Sequence, residues 1–141
     1  MAGATRSVVI AAPPERVFEI IVDYDRYAEF LSEVKEARSS DRRGNEVDVH
    51  YGIDLVKRIH YTLHMVEERP RSVRWTFVKG EVMRDNRGSW TLEPTPDGMT
   101  RATYTIEVGV GPLVPRALVN ALVDHSLPKL LEAFKKRAEA R

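Results

Sequence analysis

"VRWTFVKGEVMRDNRGSWTLEP", residues 73–94, sets Val73, Trp75 and Phe77 in one alternating apolar run and Trp90 and Leu92 in another. A period of two places the apolar residues of a strand on one face, so both tryptophans of the chain are aimed at the same side of one sheet. The stretch between the runs is charged and contains glycine, and "RDNRG" reads as a turn. An antiparallel pair is the predicted result.

The same period extends in both directions. Val47, Val49, Tyr51 and Ile53 alternate with polar residues or glycine, as do Ile59, Tyr61, Leu63 and Met65. Ala102, Tyr104, Ile106 and Val108 repeat the pattern late in the chain. The connections "DRRGN", "ERPRS", "RDNRG" and "TPDGM" are too short for parallel crossovers, so the strands form a meander. Ahead of them, residues 5–11 read as a first strand that "AAPPE" ends, with Pro14 suited to the first turn of a helix. "PERVFEIIVD" and "YDRYAEFLS" then predict two short helices.

After the last strand, "GVGPLVPRALVN" opens a helix at Pro115. Val119, Val123, Leu127, Leu130, Leu131 and Phe134 fall on one stripe of it. Run to the carboxy terminus it would be about 35 Å long, with a kink between residues 124 and 128 because Pro128 removes a backbone bond. The expectation is an α+β fold of one domain, residues 1–141: a curved antiparallel sheet of about seven strands wrapped around a long carboxy-terminal helix, with two short helices after strand 1. A single helix is about 10 Å wide and does not fill the concavity of such a sheet. A hollow between helix and sheet follows.

The totals bound the function. Apolar residues make up 43% and charged residues 30%, a globular composition. Twenty-two basic and 21 acidic side chains leave a net charge of +1, so no global field draws the chain to nucleic acid, and no direct DNA binding is expected. There is no cysteine, which removes disulfides, thiolate nucleophiles and cysteine metal sites. No apolar run is long enough to span a bilayer and no signal peptide is evident, so the expected location is cytoplasmic.

The order of elements, with "APPERVFEIIVDYDRYAEFL" at the front and "LPKLLEAFKKRAEAR" at the end, resembles the START-like helix-grip (SRPBCC) superfamily, which includes the birch pollen allergen and the polyketide cyclase/dehydrases. Within it, "VDYDRYAEFLSEV", "KGEVMRDNRGSWTLEPTPDGMTRATYTIEV" and "LLEAFKKRAE" look most like the coenzyme-Q-binding and RatA-type branch. That branch carries prolines in its second short helix that Tyr27 to Ser32 lack here. The resemblance implies a protein that holds a hydrophobic small molecule, a quinone, lipid or polyketide, between sheet and helix, with no dedicated cofactor. It also implies two alternatives: aromatic polyketide cyclase/dehydrase activity, or a RatA-like contact with the ribosome.

Residues placed by pattern on the inner face or on the helix stripe are the candidate ligand contacts: Tyr51, Tyr61, Leu63, Trp75, Phe77, Trp90, Tyr104, Val123, Leu127 and Leu131. The tyrosines are the best placed to orient a carbonyl or hydroxyl of the guest, since a buried hydroxyl needs a partner. No other titratable type faces inward, which favours binding over acid–base catalysis, and no catalytic residue is assigned. The tips "IDLVK" and "GVGPLVP" are more apolar than turns usually are; they mark a ligand mouth, a membrane contact, a partner surface or segments folded back onto the sheet. His50, His60 and His64 fall on the outer face, with His50 placed across from His60; no carboxylate is fixed beside them by sequence, so a solvated face is expected and no metal. "DHS", residues 124–126, holds the members of a hydrolase triad, but consecutive helical residues cannot converge on one another.

Overall fold

The computed structural model describes residues 2–55, 57–121, 123 and 126–140. Seven strands form one antiparallel sheet: β1 (Ala2–Ile10), β2 (Val34–Arg43), β3 (Glu46–Asp54), β4 (Arg58–Glu68), β5 (Ser72–Gly80), β6 (Met83–Pro94) and β7 (Thr100–Val110). The spatial order is β1-β7-β6-β5-β4-β3-β2, so six strands follow the chain as a meander and β1 returns to close against β7. β1 and β2 remain the two edges, and the sheet is not a closed barrel. The inner positions read from the alternation are the buried ones: Val47 and Val49 on β3, Ile59, Leu63 and Met65 on β4, Trp75 on β5, Trp90 and Leu92 on β6, Ala102 and Val108 on β7.

Between β1 and β2 stand helix α1 (Pro14–Val22), with Pro14 in its first turn, and a 3₁₀ turn over Tyr24–Glu29. α1 buries Val17, Phe18, Ile20 and Ile21. The 3₁₀ turn buries Tyr24 and Tyr27 and is fastened to β2 through Asp25, whose carboxylate accepts from Ser39 N at 2.9 Å and Ser39 Oγ at 2.6 Å.

Two expectations are corrected. "RDNRG" is not a turn but the beginning of β6; the chain reverses earlier, at Glu81 and Val82, where Val82 takes a positive φ of 69°. The misreading has a steric origin. Gly88 faces inward, and a Cβ there would lie 2.6 Å from Trp75 Cζ2 and 2.1 Å from Thr105 O, so the indole of Trp75 occupies the space a side chain would need. Likewise the carboxy-terminal segment is not one helix interrupted by Pro128. Its described residues form α2 (Arg116–Asn120), which stays helical at Ala121 and Val123, then bend at Ser126 and resume as α3 (Leu127–Glu139), with Pro128 in the first turn of α3, where its missing N–H has no intrahelical partner to lose. α3 is thus about 20 Å long at 1.5 Å per residue.

The carboxy-terminal end of α3 is clamped onto β1 and α1. Glu139 Oε2 accepts from Ala11 N at 2.7 Å and from Lys135 Nζ at 2.6 Å, while Lys135 Nζ also reaches Val9 O at 2.9 Å. Arg16 donates to the carbonyls of Ala138 and Ala140. These bonds satisfy carbonyls that a helix end leaves open, and they fix α3 across the sheet. Among the described residues, no helix is long and apolar enough to cross a membrane.

Candidate functional site

The concave face of the sheet is filled at one end and hollow at the other. A cavity of about 560 Å³ opens between the last residues of β3 and β7, the first residues of β4 and β6, the segment after the 3₁₀ turn, and the flank of α3. Its walls are Phe30, Leu31, Val34, Ile53, Leu55, Tyr61, Met83, Tyr104, Ile106, Val108, Leu130 and Ala133. Its rim is polar: Ser32 and Glu33 on one side, Ser126, Lys129, Glu132, Lys136 and Arg137 along α3 on the other. Arg137 roofs the entrance, with its guanidinium 5.0 Å from the Phe30 ring centre and 2.7 Å from Glu29 Oε1.

A second hollow of about 90 Å³ lies deeper and shares Leu31, Val34, Tyr61, Asn86, Tyr104, Ile106 and Leu130 with the first. An aromatic frame surrounds it. Tyr51 stacks on Tyr61 at 5.3 Å, Trp75 and Trp90 flank Tyr104 at 5.3 and 5.0 Å, and Phe134 meets Trp90 at 5.1 Å and Tyr27 at 5.4 Å.

Of the residues nominated from sequence, Tyr61 and Tyr104 line both hollows, and Tyr51, Leu63, Trp75 and Trp90 line the inner one. Phe77 is half-buried beside the core and lines neither. Val123, Leu127 and Leu131 are buried and also line neither. The triad-like Asp124 and His125 lie outside the described residues, as does Val56 of the "IDLVK" tip. In that tip Ile53 and Leu55 fold inward as cavity wall, whereas Leu113 of the other tip is 95% exposed.

Asn86 was missed, because the segment around it reads as a turn. It is 3% exposed and lines both hollows. Trp75 Nε1 is a donor only, so the carboxamide oxygen of Asn86 faces it, at 3.1 Å. The amide nitrogen is left to a weak contact with Met83 Sδ at 3.5 Å. A buried amide donor with such a soft partner is the polar handle that the apolar alternation could not reveal.

The tyrosines divide into two groups. Tyr24 and Tyr27 have their hydroxyls committed: Tyr24 donates to Glu67 Oε2 at 2.8 Å, and Tyr27 donates to Ile21 O. Among the described residues, no protein group accepts from or donates to the hydroxyls of Tyr51, Tyr61 and Tyr104, yet no sealed side-chain oxygen lacks a partner. Those three hydroxyls therefore present surface to the hollow itself. Burial pushes all three well above the usual phenol range, with neighbouring tyrosines adding to the shift in Tyr51 and Tyr104 and the Glu33 charge in Tyr61. They stay protonated at any physiological pH, as neutral donors and acceptors and not as bases.

A third grouping lies on the outer face. The sheet register pairs His50 with Thr62 and Gly52 with His60, so the histidines are diagonal neighbours and not directly opposed, which corrects the sequence expectation. Their rings still stack at 5.5 Å, and Glu36 of β2 joins them. His64 is separate, held between Asp48 and Glu46 at 2.7 Å each.

A family model described as polyketide cyclase/dehydrase and lipid transport matches residues 1–139. The chain belongs to that family. Solved structures share the fold: the Zhui aromatase/cyclase from Streptomyces sp. R1128 is 16% identical with a TM-score of 0.89 over 98% of this chain and 93% of that one. A STAR-related lipid transfer protein from Xanthomonas axonopodis is 18% identical with a TM-score of 0.83 over 98% and 86%. A protein from Thermus thermophilus is 20% identical with a TM-score of 0.87 over 97% of each chain. No curated protein matches the chain in sequence. At these identities the likeness is one of fold, and in this family member the helix-grip architecture is the seven-stranded sheet closed by α3.

Proposed function

We propose that the protein binds and carries a hydrophobic small molecule, of quinone, lipid or polyketide type, in the hollow between the sheet and α3. The observation that carries this reading is the cavity of about 560 Å³ with apolar walls, a few inward polar atoms and a charged rim. A volume of roughly 300–1,000 Å³ with that balance is characteristic of small-molecule sites. Tyr61 and Tyr104 supply hydroxyls, Asn86 supplies an amide donor, and the guest's carbonyl or hydroxyl oxygens are the groups they suit. Tyr51, Leu63, Trp75 and Trp90 form the inner wall for a ring or the end of a chain. Phe77, Val123, Leu127 and Leu131 support this shell from outside.

Binding is favoured over cyclase chemistry by the same side chains. Moving a proton off a polyketide carbon at neutral pH needs a group that titrates nearby, and the inward tyrosines are held far above that range. The charged residues sit at the rim, where they meet a polar head group and not the buried end of a guest.

Native mass spectrometry of freshly purified protein, followed by titration with a short-chain ubiquinone and with a fatty acid under tryptophan fluorescence, tests the proposal. One lipophile per chain and saturable quenching of Trp75 and Trp90 are expected. At a free ligand concentration about a hundred times Kd, binding adds about 2.7 kcal/mol and raises the melting temperature by roughly 8 °C. No co-purifying lipophile together with no saturable response to either probe would overturn it. Turnover of a polyketide chain would establish the cyclase alternative, and co-sedimentation with ribosomal subunits the RatA-like one.

A further inference from the structure

We propose that Glu36, His50 and His60 form a binding site for a late first-row divalent metal ion of the Zn2+ class on the outer face of the sheet. Glu36, Gly52 and His60 lie in one row across β2, β3 and β4. The middle position of that row has no side chain. A Cβ on Gly52 would lie 2.8 Å from Glu36 Cγ and 3.1 and 3.2 Å from His60 Cε1 and Nδ1, so the glycine keeps a seat open between the carboxylate and the imidazole. His50, two residues along β3 on the same face, leans over this seat and stacks on His60.

The spacing of the donor atoms suits a tetrahedral ion. His50 Nε2 lies 3.4 Å from His60 Nδ1 and 3.4 Å from Glu36 Oε1, and one ligand atom from each of the three residues lies within 4.8 Å of the other two. With metal–nitrogen bonds of about 2.0–2.1 Å, tetrahedral ligands stand roughly 3.3–3.4 Å apart, so the two short edges are already in place. Two imidazoles and one carboxylate select Zn2+ over Mg2+ or Ca2+, and three protein ligands leave a fourth position for water.

The surroundings hold the ligands in position. Thr62 Oγ1, 3.3 Å from His50 Nδ1, can accept the proton on that nitrogen and leave Nε2 free toward the seat. The backbone N–H and C=O of His60 are both bonded to Glu81, through its carboxylate at 2.9 Å and its N–H at 2.9 Å. Arg38 Nη2, 3.4 Å from Glu36 Oε1, is the cation an incoming metal would displace. All three ligands are partly exposed, which gives an ion an entry path. An ion held there would join the edge strand β2 to β3 and β4, on the reverse side of the wall that carries Tyr51 and Tyr61.

Isothermal titration of the untagged full chain with ZnCl2 at neutral pH tests the site. One Zn2+ per chain is expected, with a melting temperature that rises with Zn2+ and not with Mg2+, and with the intense visible bands of a tetrahedral ion when Co2+ is used. His50→Ala, His60→Ala and Gly52→Ala are each expected to weaken Zn2+ by more than about 100-fold, and Thr62→Val by about 10-fold. The double variant His64→Ala/His125→Ala keeps the site and its affinity. Glu36→Gln, a surface change, carries the test if a histidine variant fails to fold, and is expected to weaken Zn2+ at least about 10-fold. Absence of saturable Zn2+ uptake, uptake that survives Glu36→Gln and Gly52→Ala, or uptake lost in the double variant would overturn the site.

Discussion

The two ends of the concave sheet face differ: one shares a buried apolar cluster with α1, and the other faces a cavity. At one end β3 begins, β4 finishes and β6 finishes; Val47, Val49, Val73, Leu92, Ala102 and Ile10 are buried in the same apolar cluster as Phe18 and Ile21 of α1, and none of them lines either hollow. Buried polar atoms there are spent on one another, as Glu67 accepts from Tyr24 and takes both Arg42 nitrogens at 3.1 and 3.0 Å. At the other end Tyr61, Tyr104, Ile106 and Leu130 face a hollow. The lesson is that α1 decides which end is core. A single helix across a coiled sheet covers the middle, and the extra helix after β1 fills only the end it touches.

The largest effects should separate these ends. Phe18→Ala, in the filled end beneath the Arg69 guanidinium, is expected to cost about 3–5 kcal/mol in chemical denaturation. Leu130→Ala, on the half-buried cavity flank, should cost far less, because no close-packed partner is lost on the hollow side. Equal losses would mean that the hollow is not empty space in the folded protein.

Smaller but sharper is the reverse experiment. Val49→Phe forces volume into a packed region and should destabilise by about 1–3 kcal/mol. Ile106→Phe adds volume beside the cavity, so it should change stability little while lowering quinone or fatty-acid affinity at least about tenfold. Tyr24→Phe leaves Glu67 without one donor and is expected to cost about 1–3 kcal/mol; Tyr61→Phe, whose hydroxyl has no protein partner among the described residues, should cost little stability and weaken only the ligand.

The smallest effect is on the outer face. Hydrogen bonds first to Asp48 and then to Glu46 raise the His64 pKa above 6.5, so the folded state holds its proton more tightly than the unfolded chain does. The stability this adds is fully present below about pH 6.5 and is lost as pH rises through the elevated folded value. His64→Gln should therefore lose most at pH 6 and almost nothing at pH 9, by less than about 1 kcal/mol since the ring is 35% exposed. Urea denaturation of both proteins at the two pH values measures the difference.

How much of this was legible in the sequence follows the chemistry of the signal. The meander, α1 and the inner aromatics were readable because burial on one face imposes a period of two and a helix a period near four. The start of β6 was not, because its inward positions are Asn86 and Gly88: one is a polar handle, the other a gap for Trp75, and neither looks apolar. The break between α2 and α3 was signalled by Pro128 but read as a kink, since a proline at a helix start and one within a helix differ only in what precedes them. Alternation could nominate Trp75 and Tyr61 as lining, but not which end of the sheet stays open, because that depends on where α1 stops. Glu36 was invisible beside the histidines, as its place there is set by the register across β2, β3 and β4.

The difference between the two ends is tested most directly by amide chemical-shift mapping during titration with a short-chain ubiquinone or a fatty acid. The filled and hollow ends predict saturable shifts confined to residues around Tyr61, Asn86, Tyr104, Ile106 and Leu130, with Val47, Val73 and Ala102 unmoved. Shifts scattered over the surface, or centred on the α1 end, would contradict it.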